Sequence, residues 1–464
     1  MIGHPNRLHA TRAPPAEQTE PATPVLVGHI EVTPPPNPLP NVTRGSPNMT
    51  AVAEPTLRPT ATLADRFVGR RYVQLVLVLG ALSAIGPLTI DTYLPALPQL
   101  TADMGATDSQ AQLTITGLLI GLGLGQLVVG PLSDAVGRRK PLLVGLVGHA
   151  LMSVLCALAP SITLLAVTRT LQGLAGAAVA VVAMAVVRDL FSGIRAAQLL
   201  SRLILVLGIA PILAPSLGSA LLKFTSWRGI FVLLAVAAVL LLALAFFALP
   251  ETLPSERRRP GTIRSALGGY RTVLSDRLFV VMVLVAGLMF ATLFAYISGA
   301  PFILQGLFHL TPQQFGVAFS ANAVGLILMT QINPILVRRF GPVRVLSVAV
   351  LTALGAAVAL LVTMSLGGGL VGFMIPLWFV VASAGLSFPN APAIALNRHG
   401  DSAGTAAALL GAAQFLVGGL IAPLVGVLDN GTAVPMAAIM VGTTGVAAGL
   451  FWSARRRLSA VSYD

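Results

Sequence analysis

After Arg70-Arg71 the chain becomes a succession of twelve apolar runs of bilayer length, joined by short charged or turn-rich connections. A run of about 20 apolar residues, wound as a helix, matches the hydrocarbon thickness of a membrane. In lipid every backbone N–H and C=O must find a partner within the protein, so continuous apolar runs of this length form helices. The expected spans are 73–100, 109–132, 141–159, 162–189, 198–222, 228–249, 278–304, 313–337, 343–363, 370–393, 403–428 and 432–453. Several exceed the minimum, so tilt or kinks are expected. Composition agrees: 55% of residues are hydrophobic and 10% charged, where a soluble domain carries about a quarter charged residues.

The charges set the topology. Of the 29 Lys and Arg residues, Lys223 and Arg228 fall in or at the edge of odd-numbered connections and Arg169 falls well inside a span; the other 26 lie in the tails, in even-numbered connections or in the span ends that adjoin them. Basic residues stay on the cytoplasmic side, so both termini are expected there, in the inner (cytoplasmic) membrane of the cell. The net charge of +13 is then a topological signal and no nucleic acid is expected as a partner. The arginine runs 257–259 and 455–457 suit anionic lipid headgroups. The single Cys156 excludes a disulfide within one chain and a cysteine-based metal site.

Five regions follow. Residues 1–65 hold thirteen of the 33 prolines and too little apolar character to fold, which reads as a disordered cytoplasmic tail. No signal-peptide core is present there. Asn41-Val42-Thr43 and Asn48-Met49-Thr50 match glycosylation sequons, which a cytoplasmic tail never presents for modification. Met49 is an alternative start, with the preceding residues an over-extended reading. Residues 72–249 and 278–453 form two six-helix bundles, joined by a cytoplasmic linker at 250–277 and followed by a tail at 454–464. The halves echo each other. Gly137-Arg138-Arg139-Lys140 matches Gly341-Pro342-Val343-Arg344 at an offset of 204, and Ala214-Pro215 matches Ala422-Pro423 at an offset of 208.

The most informative connection is Gly130-Pro131-Leu132-Ser133-Asp134-Ala135-Val136-Gly137-Arg138-Arg139-Lys140-Pro141. Pro131 and Gly137 read as turn or helix-end residues, and Pro141 suits the first turn of the next helix. The plain reading is a basic loop held on the cytoplasmic side. The spelling also resembles the loop signature of the major facilitator superfamily between its second and third helices. That resemblance implies two pseudo-symmetric six-helix bundles in the major facilitator fold, with a substrate site between them near the midplane. It also implies a charge network latching the two halves in one state, with Asp134, Gly137 and Arg138 as its residues here. The family often has Arg where this chain has Ala135.

Two ionisable groups stand well inside expected spans, and a group there needs a reason. They are Asp91, in Ile90-Asp91-Thr92-Tyr93-Leu94-Pro95, and Arg169, in Arg169-Thr170-Leu171-Gln172-Gly173. Their depths suit a direct or water-bridged pair. Such a pair either fixes helix packing or moves a proton. Removal from water favours a neutral carboxyl and a neighbouring guanidinium favours a charged one, so relative movement of the two loads or releases a proton. The first sequence resembles the first-helix motif of twelve-helix drug:proton antiporters, and the second the fourth-helix motif of proton-coupled members. Ala210, Pro211, Ala214, Pro215 and Gly218 in the fifth span resemble the antiporter motif, in the form found in the bicyclomycin/chloramphenicol-resistance (Bcr/CflA) subfamily. Packing alone also explains small residues and prolines there.

Gly117, Gly121 and Gly125 form a close-contact face suited to the interface between the halves. Tyr93, Gln126, Gln172, Phe294, Tyr296, Asn322, Gln331, Asn333 and Gln414 are candidate substrate-cavity residues, with helix-to-helix bonding the alternative for each. Gln110 and Gln112 lie nearer the membrane edge and His149 reads as a satisfied interior residue. The expected function is proton-coupled efflux of small amphipathic compounds by a monomer in lipid, with protons as coupling ion and no cofactor. Alternatives are a dedicated exporter of a metabolite such as an amino acid or sugar, or a non-transporting membrane sensor. No phosphate-binding loop or catalytic constellation supports an enzyme.

Overall fold

The computed structural model describes residues 69–191, 193–258, 263–399 and 402–458. The expected tail 1–65 with its sequons lies outside them, as do the side chains of the arginines at 257, 259 and 455–457. Among the described residues no strand occurs, and twelve helices are long and apolar enough to cross a membrane. They are α1 (Arg70–Asp91), α2 (Asp108–Val136), α3 (Arg139–Ala157), α4 (Ile162–Leu190), α5 (Gly193–Leu221) and α6 (Trp227–Ala248). The second six are α7 (Arg277–Pro301), α8 (Pro312–Phe340), α9 (Pro342–Ser365), α10 (Gly369–Leu396), α11 (Ala403–Ile421) and α12 (Val434–Leu458).

Each expected span has its helix, but the first is broken. α1 stops at Asp91, a single 3-10 turn covers Leu94–Ala96, and a short helix runs over Leu97–Met104. Pro95 and Pro98 have no N–H for the carbonyls of Asp91 and Leu94 four residues earlier, so the α-helical ladder cannot pass through. Pro131 behaves differently from the expectation: it lies inside α2, which continues to Val136. The turn belongs to Gly137 alone, whose φ of 98° favours glycine. A Cβ there would also lie 2.5 Å from Glu251 Oε2.

The two halves repeat each other in detail. α2 and α8 are 29 residues each. Each begins with a capping box, Thr107 with Gln110 and Thr311 with Gln314, in which hydroxyl and amide oxygens accept each other's backbone N–H. Each ends at a positive-φ glycine, Gly137 or Gly341. The fifth helices differ: α5 runs through Pro211 and Pro215, whereas α11 ends at Ile421, before Pro423.

The apolar cores are distributed unequally along the bundle. At the end away from the termini, one core includes residues of both halves, among them Tyr93, Ile115 and Trp227 from the first and Tyr296, Phe315 and Phe373 from the second. At the basic end, which carries the latch loop, the halves keep separate cores. One is built on Leu79, Leu146 and Val186, the other on Phe279, Leu346 and Phe451. Gly117, Gly121 and Gly125 do not face the other half. They let α2 lie directly on Ala166, Thr170, Leu174 and Ala177 of α4, inside the first half. The approach between halves is made by Gly123 of α2 against Ala412 and Leu416, and by Gly419 of α11 against Leu119.

Candidate functional site

At the basic end a cavity of about 620 Å³ separates the halves, a volume suited to a drug-sized molecule. Its walls include Ala180, Val181 and Met184 of α4 and Ala407 and Ala408 of α11, and its mouth carries Asp134, Arg188 and Asp189. Of the expected cavity residues, Gln126 alone lines it among the described residues.

The others are mostly committed to closed contacts. Tyr93 is fully buried and its hydroxyl donates to Thr114 Oγ1 at 3.0 Å, since that hydroxyl already donates to Ala111 O. Phe294 packs on Phe290 with ring centroids 4.8 Å apart, and Tyr296 stacks on Phe319 at 5.1 Å. Asn322 donates to Tyr296 Oη at 3.2 Å and leaves its own Oδ1 without a partner. Asn333 accepts from Asn390 at 2.6 Å. Gln414 is half-buried, and Gln331 is exposed.

Arg169 is completely buried. Its Nη1 donates to Thr89 O at 3.2 Å and to Gln172 Oε1 at 2.7 Å, and its guanidinium lies over the rings of Tyr93 and Phe231 at 4.9 and 5.5 Å. Nε and Nη2 have no partner. Gln172 passes the chain on to Ser153 Oγ at 2.7 Å, and Thr89 Oγ1 meets His149 Nε2 at 3.0 Å. The Thr89 hydroxyl donates to Ile85 O, so His149 Nε2 is the donor in that contact. His149 is thus a bonded interior residue.

The expected direct pair between Asp91 and Arg169 is not formed: no ion pair joins them. Asp91 ends α1 and is 5% exposed. Arg169 instead holds the carbonyl two residues before it. Gly218 of the motif helix α5 is pressed against Thr92 O, where any side chain would collide. Ala210, Ala214 and Pro215 are buried, while Pro211 is half-buried. Farther along, Ser219 Oγ reaches Pro312 O at 2.7 Å and Gln313 donates to Ser219 O at 3.0 Å, so α5 meets α8 at the closed end.

The latch residues form a dense network. Arg138 Nε donates to Asp189 Oδ2 at 2.9 Å, and Nη1 to Ser133 Oγ at 2.8 Å and Asp134 Oδ1 at 2.5 Å. Burial works against the Arg138 charge, but the two carboxylates outweigh it and raise its pKa. Every partner belongs to the first half or to the start of the linker. Among the described residues the expected contact with the second half is absent, and Asp134 is left 53% exposed in the cavity mouth. Asp134 also lies near the C-terminal end of α2.

Glu251, which the sequence did not single out, completes the network. Its carboxylate accepts from the backbone N–H of Arg138 at 2.8 Å and of Arg139 at 3.2 Å, capping α3 from a distant segment. Partial burial would raise its pKa; the N–H groups of Arg138, Leu253 and Arg139 and the Arg258 charge hold it below the usual carboxylate value. A carboxyl with a lowered pKa stabilises the fold above its unfolded value of about 4.3 and loses that effect as pH falls through the folded value. Glu251→Ala is therefore expected to cost about 0.5–2 kcal/mol, the range for a lost cap. Thermal melts should show the deficit at about pH 7 and its disappearance well below about pH 4; an equal deficit at both would refute the cap.

Gln112, expected only near the membrane edge, also bridges the halves. It is 1% exposed and joins the halves at the closed end, with Nε2 donating to Ser298 O at 3.3 Å and Oε1 accepting from Gly426 N at 2.8 Å. Only the second half's course around Gly426 turns this edge residue into a clasp.

Two repeated six-helix halves, joined at one end and parted by a cavity at the other, define a membrane transporter and not an enzyme. The chain belongs to the major facilitator superfamily, whose family model matches residues 76–423. It is 39% identical to the uncharacterized MFS-type transporter YdgK of Bacillus subtilis (strain 168), over 80% of this chain and 93% of that protein. It is 31% identical to a bicyclomycin resistance protein homolog of Haemophilus influenzae, over 78% and 91%. The fold matches the xylose transporter XylE of E. coli in a partially occluded inward-open conformation, with a TM-score of 0.67 at 15% identity, over 83% of this chain and 98% of that one. Within the superfamily the likeness is to the Bcr/CflA subfamily.

Proposed function

We propose that this transporter exports small amphipathic compounds across the cytoplasmic membrane in exchange for protons, by alternating access. The observation that carries the reading is the shared core at one end and the two separate cores at the other. Such a bundle can part at either end while the opposite end holds. The basic end and both termini face the cytoplasm, by the bias of positive charge. The cavity then opens inward. Its apolar walls and charged mouth suit amphipathic molecules, and a resistance protein among the relatives is in keeping with export.

The latch fits the same cycle. Across the cavity from Asp134 lie Ser402 and Gly404, at the N-terminus of α11, where the Ser402 side chain makes no capping bond. When the basic end closes, the Asp134 carboxylate would meet that N-terminus, worth about 0.3–1 kcal/mol and up to about 2 when partly buried. The test is counterflow of candidate compounds in proteoliposomes, chosen by a sensitivity screen in a pump-depleted host. Wild type should exchange substrate and Asp134→Asn should exchange it more slowly. No counterflow by wild type with any compound that its expression protects against would overturn export. Undiminished turnover by the mutant would reduce the loop to a topological signal.

A further inference from the structure

Pro131 creates a vacancy in α2 that a distant residue fills. A proline inside a helix has no N–H for the carbonyl four residues earlier, which here is that of Leu127. The Tyr270 hydroxyl donates to that Leu127 carbonyl at 2.8 Å. Tyr270 belongs to the linker helix Ile263–Leu274. That helix is fixed to the second half: Val273 is fully buried in its basic-end core, and Gly269 lies beside Thr405 of α11. One side chain therefore crosses from an element anchored on the second half to a backbone acceptor in the first. It does so at the cavity, which Tyr270 and Pro131 both line.

We propose that Tyr270 is a positioning residue of the transport cycle, holding the proline-freed carbonyl of Leu127 only while the basic end is open. The inference rests on the alternating-access reading above. Closing the basic end removes the space between α2 and α11 in which the Tyr270 ring stands. The ring must leave, and the bond to Leu127 with it. The bond then weights the balance between the two states, by about two- to tenfold for one neutral hydrogen bond. Water in the open cavity can replace the lost donor, which places the effect towards the lower part of that range.

The test uses the full chain with Ala407→Cys as a reporter on the cavity wall. The native Cys156 is buried. Inside-out vesicles are treated with a membrane-impermeant maleimide, and labelling of the reporter follows the open population. Tyr270→Phe keeps the ring and is expected to slow labelling about two- to tenfold. Pro131→Ala restores the N–H that Leu127 lacks, so the carbonyl gains a partner within α2. In that background Tyr270→Phe is expected to change labelling less than about twofold, a coupling that only a shared acceptor produces. Labelling at the parental rate in Tyr270→Phe overturns the tether. So does equal slowing in both backgrounds, which would assign the effect to another contact of the hydroxyl. The parent reporter protein is also assayed for counterflow; its absence would overturn the alternating-access reading itself, and is distinguishable from a parent that transports while Tyr270→Phe is indifferent.

Discussion

Asp91→Asn is expected to abolish transport driven by a pH gradient while leaving downhill substrate exchange measurable. Asp91 is the one carboxylate among the described residues that lies well inside the membrane bundle. It is buried at the end of α1 and has no ion pair. A carboxyl held there without a fixed partner can exchange a proton at little structural cost, whereas one locked in a pair cannot. On the proposed proton-coupled reading, substrate and proton compete through ordinary linkage: a ligand that prefers the deprotonated form expels protons as strongly as protons expel it. The measurement is substrate-induced proton release from detergent-purified protein. Wild type should release protons and Asp91→Asn should not. If the mutant still releases them and still pumps against a gradient, Asp91 is a packing residue.

Arg169→Met is expected to abolish coupled transport without lowering thermal stability. Had Arg169 been paired with Asp91, its removal would break a buried ion pair at a cost of about 3–5 kcal/mol. Arg169 has no such partner to strand. Two of its donors are unsatisfied, and a charge at bilayer depth costs about 2.5–3.5 kcal/mol on insertion scales. Against this stand the contacts to Thr89 O and Gln172 and the two ring faces. Methionine fills much of the same volume and removes the uncompensated charge. Melting midpoints in detergent should be equal to or above wild type, with gradient-driven transport lost. A mutant that unfolds well below wild type would mean that the guanidinium is held mainly for packing.

The spans were legible because run length and charge placement leave little freedom in a bilayer. Gly137 was legible too, since a tight connection between antiparallel helices calls for a residue free to take positive φ. The break at Asp91 could have been read from Pro95, four residues on, but a continuous apolar run hid it. Helix pairing was not legible. The spacing of Gly117, Gly121 and Gly125 gives a face without saying which helix lies on it, and α4 proved to be the neighbour. Gln112, Glu251 and Tyr270 were missed for one physical reason. Each acts on a backbone group made available by a distant segment, namely Gly426, the start of α3 and the carbonyl vacated by Pro131. Side-chain identity alone carries no trace of such an acceptor or donor.

The single core shared at the closed end has a mechanical consequence. On the alternating-access reading, it places the fulcrum for opening of the basic end at the seam where glycines hold α2 against α11 and the Gln112 clasp ties α2 to Ser298 and Gly426. The stretch of α2 from Gln112 to Asp134 is a lever about 33 Å long, so a rotation of about 10° sweeps Asp134 through about 6 Å. Near the fulcrum displacement is small and contact is close, which suits small side chains and backbone acceptors. At the tip the travel exceeds the reach of van der Waals contact, and only charge acts across such a gap. The placement of Asp134, Arg138 and Asp189 at the tips, with glycine at the seam, is what a lever of this length requires.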